Sequence, residues 1–217
     1  GQWVELDATH LAAGLRLLRR PGQMTVTDLL RLALAEPDDP QTLPVLEVSA
    51  DGALGDLLAG RAEQHLTPRP APPEFAGTLR PYQQRGLAWL SFLESLGLGG
   101  VLADDMGLGK TVQLLALLAG DPPGTGPTLL VCPMSLVGNW EREAARFAPT
   151  RRVHVHHGGE RTRRRRFTDA VAAADLVLTT YSTAARDAEL LRGVDWHRVV
   201  VDEAQAIKNA ATRQAEA

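Results

Sequence analysis

Two short stretches carry residues whose types and spacing can do chemistry. The first is Asp104-Asp105-Met106-Gly107-Leu108-Gly109-Lys110-Thr111, which follows the apolar run Val101-Leu102-Ala103 and opens an apolar helix. A short strand ending in a turn without bulky side chains lets successive backbone N–H groups converge on an anion, and the helix adds its positive N-terminal end. Lys110 can neutralise terminal phosphate charge, and the Thr111 hydroxyl can sit on a phosphate-bound magnesium ion. Asp104 stands where the pattern G-x-x-x-x-G-K-[ST] has its first glycine. The plainer alternative is a glycine-bearing turn that joins strand to helix.

The second stretch is Val199-Val200-Val201-Asp202-Glu203, two carboxylates directly after an apolar β-type run. In open α/β sheets ligands bind at the carboxyl ends of strands. Asp202 can hold magnesium while Glu203 positions and polarises the attacking water, the two needs of phosphoryl transfer. An acidic turn after a strand is common in itself. A phosphate turn followed by strand-Asp-Glu is nevertheless the order that P-loop ATPases require, and the pair indicates an ATP–magnesium site.

These stretches need a scaffold. Thr128 to Cys132 is a continuous apolar run closed by Pro133; Val153 to His156, Leu176 to Thr180 and Val199 to Val201 read as further strands. Helices are predicted from Leu79-Arg80-Pro81 onward, with Pro81 in the first turn and Leu87, Leu90 and Leu93 on one face, then through Leu114 to Leu118, Asn139 to Phe147 and Glu160 to Ala174. Gly97, Gly99 and Gly100 end the first of them. Apolar strands alternating with helices indicate an α/β fold with a mostly parallel sheet covered on both faces.

Upstream, helices on Leu11, Leu15 and Leu18 and after Thr27, a strand from Leu43 to Val48, a turn at Asp51-Gly52 and a helix from Leu54 to Glu63 predict a small α+β segment over residues 1–66. Residues 67–77, rich in proline, read as a linker, and 78–217 as the main domain. Asp7, Asp28 and Asp56 are accounted for by caps and solvated helix positions, and His10 and His65 stand alone.

At 217 residues, 44% hydrophobic and 23% charged, the chain has an ordinary globular composition. No apolar run approaches a membrane span, and Gly1-Gln2-Trp3-Val4-Glu5 has no signal-peptide character. The single Cys132 lies in an apolar run without a disulfide or metal-site partner. A net charge of −3 carries no global signature of nucleic-acid binding. Arg161 and Arg163 to Arg166, preceded by His154, His156 and His157, form one basic patch; such a run tracks a phosphate backbone or is a solvated helix face.

Taken together, Leu79-Arg80-Pro81-Tyr82-Gln83, Leu102 through Thr111, Val131-Cys132-Pro133, Asn139-Trp140, Thr179-Thr180-Tyr181 and Asp202-Glu203-Ala204-Gln205-Ala206-Ile207-Lys208-Asn209 resemble successive motifs of the Snf2 family of superfamily 2 DNA-translocating ATPases. The resemblance covers the chain from about Leu79, and Asp at 104 is normal in that family. The segment beginning Trp3-Val4-Glu5 also resembles the region before the motor in bacterial and archaeal members. Ala204-Gln205 departs from the Gly-His frequent in eukaryotic members and leaves the coupling role of Gln205 open.

The resemblance implies a RecA-like P-loop lobe, the first of two, incomplete here and preceded by the small α+β segment. It implies that Gln83 reads adenine, that Asp105, Met106, Gly107, Leu108, Gly109, Lys110 and Thr111 bind ATP, and that Lys110, Asp202 and Glu203 are catalytic. Thr111 and Asp202 would hold Mg2+ through the nucleotide, Gln205 would couple, and Ser135 and Thr180 would touch DNA phosphates. Read alone, Gln83 is a solvated helix residue and Ser135 and Thr180 are a helix cap and a strand-end hydroxyl. The expected partners are double-stranded DNA, a second RecA-like lobe and a protein displaced or remodelled on DNA, without a membrane; the expected location is cytoplasmic, on the bacterial nucleoid. The expected activity is DNA-stimulated ATP hydrolysis that drives translocation. A strand-separating helicase or a restriction-system motor shares the same motifs. A non-hydrolysing ATP switch is a third reading, opposed by Glu203, for which a pure switch has no use.

Overall fold

The computed structural model describes residues 25–26, 50–62, 66–105, 107–158 and 165–207. The helices expected on Leu11 to Leu18 and after Thr27, the strand at Leu43 to Val48, Met106, and the side chains of the arginine run lie outside the described residues. Contacts divide the chain into two units, Gly1–Thr67 with Ala88–Val101, and Pro68–Leu87 with Leu102–Ala217.

In the first unit, helix α1 (Gly52–Leu58) starts where a turn was expected, with extended Asp51 as its N-cap. Helix α2 (Pro81–Ser95) contributes its second half to this unit. It closes as its glycines predict. Gly97 sits at φ 67, the Leu98 N–H reaches the Leu93 carbonyl (2.9 Å) and the Gly97 N–H that of Glu94 (2.9 Å). This pairing satisfies the last carbonyls of a helix and needs a left-handed residue, for which glycine has no Cβ penalty.

Among the described residues the second unit holds a four-stranded, all-parallel sheet in the order β2-β3-β1-β4. Its strands are β1 (Thr128–Cys132), β2 (Val153–His156), β3 (Leu176–Thr180) and β4 (Arg198–Val201). α3 (Lys110–Ala119) precedes β1, and between the strands run α4 (Val137–Phe147), α5 (Arg165–Ala172), α6 (Tyr181–Arg186) and α7 (Ala188–Arg192). β1 and β3 are buried at every position, as uninterrupted apolar runs in a parallel sheet require. Leu129, Val131 and Val177 pack with Phe167, Val171, Tyr181 and Leu191 in one core cluster. α3 buries Leu115 to Ala119, and α4 buries Val137, Trp140 and Ala144, an i, i+3, i+7 stripe. Among the described residues no helix is long and apolar enough to cross a membrane.

Several details differ from expectation. The strand expected ahead of the phosphate turn is absent: residues 102–105 pair with no strand among the described residues, so their backbone has no ladder to join. β4 is an edge strand, with Val199 57% and Val201 38% exposed, although its composition reads as buried. α5 is shorter than Glu160 to Ala174. The proline-rich stretch expected as a linker packs onto the second unit. Phe75 is buried and stacks on Phe147 (centroids 5.6 Å apart), and the Ala76 N–H donates to the Phe147 carbonyl (2.8 Å).

At the amino ends of the strands, Arg198 makes a two-pronged pair with Asp121 (3.0 Å on each oxygen) and also reaches the Thr128 hydroxyl (3.2 Å). Arg151 caps the end of α3 through the Ala119 and Asp121 carbonyls, and Arg152 ties the start of β2 to Asp175. These bonds fix the end of the sheet away from Asp202, the residue that follows β4.

Candidate nucleotide site

The glycine-bearing loop is set by two left-handed residues, Gly107 (φ 84) and Gly109 (φ 79). Gly109 is also the N-cap of α3, and a Cβ there would lie 2.5 Å from Gln83 Nε2. Beside Gly107 there is open space, so its glycine answers to backbone conformation alone. The Lys110 ammonium folds back and donates to the carbonyls of Asp104 (2.6 Å) and Asp105 (3.1 Å). Thr111, half-buried, follows in the first turn of α3.

Asp104, the departure from the glycine pattern, has a structural task. Its carboxylate accepts the Gln113 Nε2–H (2.9 Å) while its carbonyl accepts Lys110, so one residue braces the loop from both sides. Gln113 is fully buried, and glycine at 86 leaves its amide where it lies, since a Cβ there would come within 1.8 Å of Gln113 Oε1. Gln83 is likewise buried and occupied at both ends. Its Oε1 accepts the Arg80 N–H (2.9 Å), as a third-position residue does in a capping box, and its Nε2 donates to the Leu108 carbonyl (3.1 Å). In this structure the amide expected to read adenine clamps the start of α2 to the phosphate loop.

The second group of residues is built around Asp202. Its N–H continues the ladder to Val131 (2.9 Å). Its carboxylate takes the Trp140 indole N–H on Oδ2 (2.8 Å) and the Glu203 N–H on Oδ1 (2.9 Å). The Tyr181 hydroxyl donates to the carbonyls of Asp202 (2.5 Å) and Glu203 (3.2 Å). Glu203 is the one positive-φ residue other than glycine among the described residues (φ 53), a conformation that costs of order 1 kcal/mol and persists where surrounding bonds hold it. The Gln205 amide donates to the Glu203 carboxylate.

Burial, and then the Asp202 charge, push the Cys132 thiol up to about 11, so it stays a neutral core residue. Burial first, then the charge of Asp202, also raises the Tyr181 phenol, which therefore keeps the proton it donates.

Two of the sequence-predicted residues separate in environment. Ser135 is exposed, in the short 3-10 turn Met134–Leu136 after β1. Thr180 is buried and caps α6: its hydroxyl accepts the Thr183 N–H (3.3 Å) and donates to the Thr183 hydroxyl (2.9 Å). As placed, it is a buried capping residue. Among the described residues no hydrogen bond joins the loop group (Gln83, Asp104, Lys110, Gln113) to the Asp202 group (Trp140, Tyr181, Glu203, Gln205). Trp140 and Tyr181 stand in the sequence only as members of the family motifs, with no partner assigned, and Gln113 and Gly86 were missed. For Gln113 the one signal was Asp104, a charged residue in a glycine position that needs a partner.

A parallel α/β sheet with a Gly-Lys-Thr sequence opening one helix and an Asp-Glu pair leaving β4 defines a RecA-like lobe. Residues 82–217, more than half of the chain, match the SNF2-related domain. The chain belongs to this family. It is 36% identical over its whole length to YwqA of Bacillus subtilis, of which it covers 25%, and 33% identical over 92% of its length to the TATA-binding protein-associated factor MOT1 of Saccharomyces cerevisiae, of which it covers 12%. Among solved structures, the Sulfolobus solfataricus SWI2/SNF2 ATPase core in complex with double-stranded DNA matches with a TM-score of 0.58 and 40% identity, over 69% of this chain and 30% of that one. The chain thus spans about a quarter of the length of YwqA.

Proposed function

We propose that the protein carrying this chain is a Snf2-type translocase that hydrolyses ATP to move along double-stranded DNA, and that this lobe supplies its ATP–magnesium site. The observation that carries the reading is the Asp202 carboxylate, held in one orientation by two N–H donors immediately beside Glu203. The residues present fit the group: a left-handed glycine turn with open space at Gly107, a lysine within the loop, and two acidic side chains at a strand's carboxyl end.

Gly107 to Thr111 would hold the phosphates, with Asp105, Met106 and Leu108 in the same loop; Thr111 and Asp202 would hold magnesium, and Gln83 would border the adenine. Magnesium neutralises phosphate charge when bound. Lys110 leaves the carbonyls of Asp104 and Asp105 for the terminal phosphate. Glu203 orients the attacking water once its carboxylate is released by Gln205, which makes Gln205 the coupling residue. Support for duplex DNA as partner comes from the DNA-bound Sulfolobus relative and from exposed Ser135 at the carboxyl end of β1. A second lobe, a protein target on DNA and a cytoplasmic, nucleoid location complete the proposal.

The test is a division of labour measured in the full-length protein. Lys110→Ala should abolish both tight ATP binding and turnover, whereas Glu203→Gln should keep binding and lose turnover. Equal loss of ATP binding in both variants would refute the assignment.

A further inference from the structure

Trp140 and Asp202 are 62 residues apart, yet the Trp140 Nε1–H meets the carboxylate at 2.8 Å. Trp140 is 4% exposed, wedged in the buried stripe of α4, so its ring cannot swing away without emptying core space. A buried indole N–H generally finds some acceptor. Here it takes one oxygen of the proposed magnesium ligand while the Glu203 N–H takes the other. Two donors on different oxygens fix rotation of the carboxylate plane and leave each oxygen a lone pair for a metal. Tyr181 completes the arrangement by holding the carbonyls of Asp202 and Glu203, with Glu203 at positive φ.

We propose that Trp140 is a positioning residue for magnesium, setting the Asp202 carboxylate through its indole N–H, with Tyr181 holding the backbone of the same turn. The inference rests on the ATP–magnesium reading above. It assigns to α4 and to the exit of β3 a task beyond packing. A group that orients a metal ligand is worth about 10- to 100-fold in metal affinity. Tyr181, acting one step further away through the backbone, should matter less and in the same direction.

The experiment uses the full-length protein and a fluorescent ADP analogue whose polarisation is followed while Mg2+ is titrated. Trp140→Phe keeps an aromatic ring in the core and removes the N–H. It should leave nucleotide affinity without magnesium unchanged and raise the Mg2+ concentration needed for tight binding by about 10-fold or more. Tyr181→Phe should shift the midpoint by a smaller factor. In an Asp202→Asn background, Trp140→Phe should add no further shift in magnesium dependence, because the ligand it orients is gone. An unchanged Mg2+ midpoint in Trp140→Phe, or an equal loss of nucleotide affinity with and without magnesium, would overturn the proposal and leave the indole as packing. Failure of the underlying reading looks different: the unmodified protein itself would then bind the nucleotide no more tightly with magnesium than without it.

Discussion

Gly86→Ala tests whether the bracing of the phosphate loop is real. An alanine Cβ would lie 1.8 Å from Gln113 Oε1 and 3.0 Å from its Cδ. Gln113 has no exposed surface, so the shift of its amide that the Cβ demands is expected to cost the 2.9 Å bond to the Asp104 carboxylate. A hydrogen bond to a charged group contributes about 1.5–3 kcal/mol. Replacing glycine by alanine inside a helix returns about 1 kcal/mol. The two effects act in different places, since the helix gain belongs to α2 and the lost bond to the loop. Global stability should therefore change by no more than about 2 kcal/mol, while nucleotide affinity falls by about tenfold, at about 1.4 kcal/mol per decade. Gln113→Leu, which removes the same bond, should weaken nucleotide binding by a similar factor. The double variant should bind no worse than either single one, because both act through one contact. Fluorescent-ADP binding and thermal melts on the full-length protein and its three variants measure all of this. Affinities that stay within about twofold in Gly86→Ala, or losses that simply add in the double variant, would refute the bracing argument.

Other consequences concern stability. Arg198→Ala leaves Asp121 facing a mostly buried gap, with the pair 14% and 13% exposed, and should cost about 3 kcal/mol in denaturant unfolding. Arg152→Ala breaks a pair whose arginine is 64% exposed and should leave the denaturant midpoint little changed, far less than Arg198→Ala. The His154 imidazole sits below its ordinary range because of burial first and the charge of His156 second. The unfolded chain therefore takes up its proton at higher pH than the folded one, so stability falls as pH drops below about 6.5. Asp175, held below the carboxylate range chiefly by its hydrogen bond from Arg152, loses its contribution only at more acidic pH, as pH falls through its folded value. His154→Phe should flatten the melting-temperature profile between about pH 7 and pH 5 and leave the more acidic limb in place.

How much of this was legible in the sequence depends on whether a feature is local. Thr128–Cys132 and Leu176–Thr180 are largely apolar β-type runs and Val153–His156 alternates Val with His, each of strand length, and the structure has strands at those limits. Pro81 and Gly97 mark the two ends of α2 through their own backbone constraints. Pairing is a different matter, because a strand exists only if a neighbour accepts it. Val101-Leu102-Ala103 has strand composition but pairs with no strand among the described residues, where Val199 and Val201 have buried-strand composition on an exposed edge. Side-chain partners distant in the chain were equally hidden. Nothing in the spacing tells that Trp140 meets Asp202, or that Gln83 spends its amide on Arg80 and Leu108. Lys110, Thr111, Asp202 and Glu203 were identifiable because phosphate and metal chemistry restricts residue type at each position.

The measurement that bears most directly on the central claim is ATP turnover by the full-length protein, followed as phosphate release with magnesium and with covalently closed duplex DNA, which has no ends and no single strands. A duplex translocase predicts turnover stimulated by the closed duplex to a normal enzyme rate, on the order of 1 s⁻¹ or more, and abolished in Lys110→Ala. Turnover that ignores the closed duplex and responds only to single-stranded DNA would contradict the account and favour a strand-separating helicase.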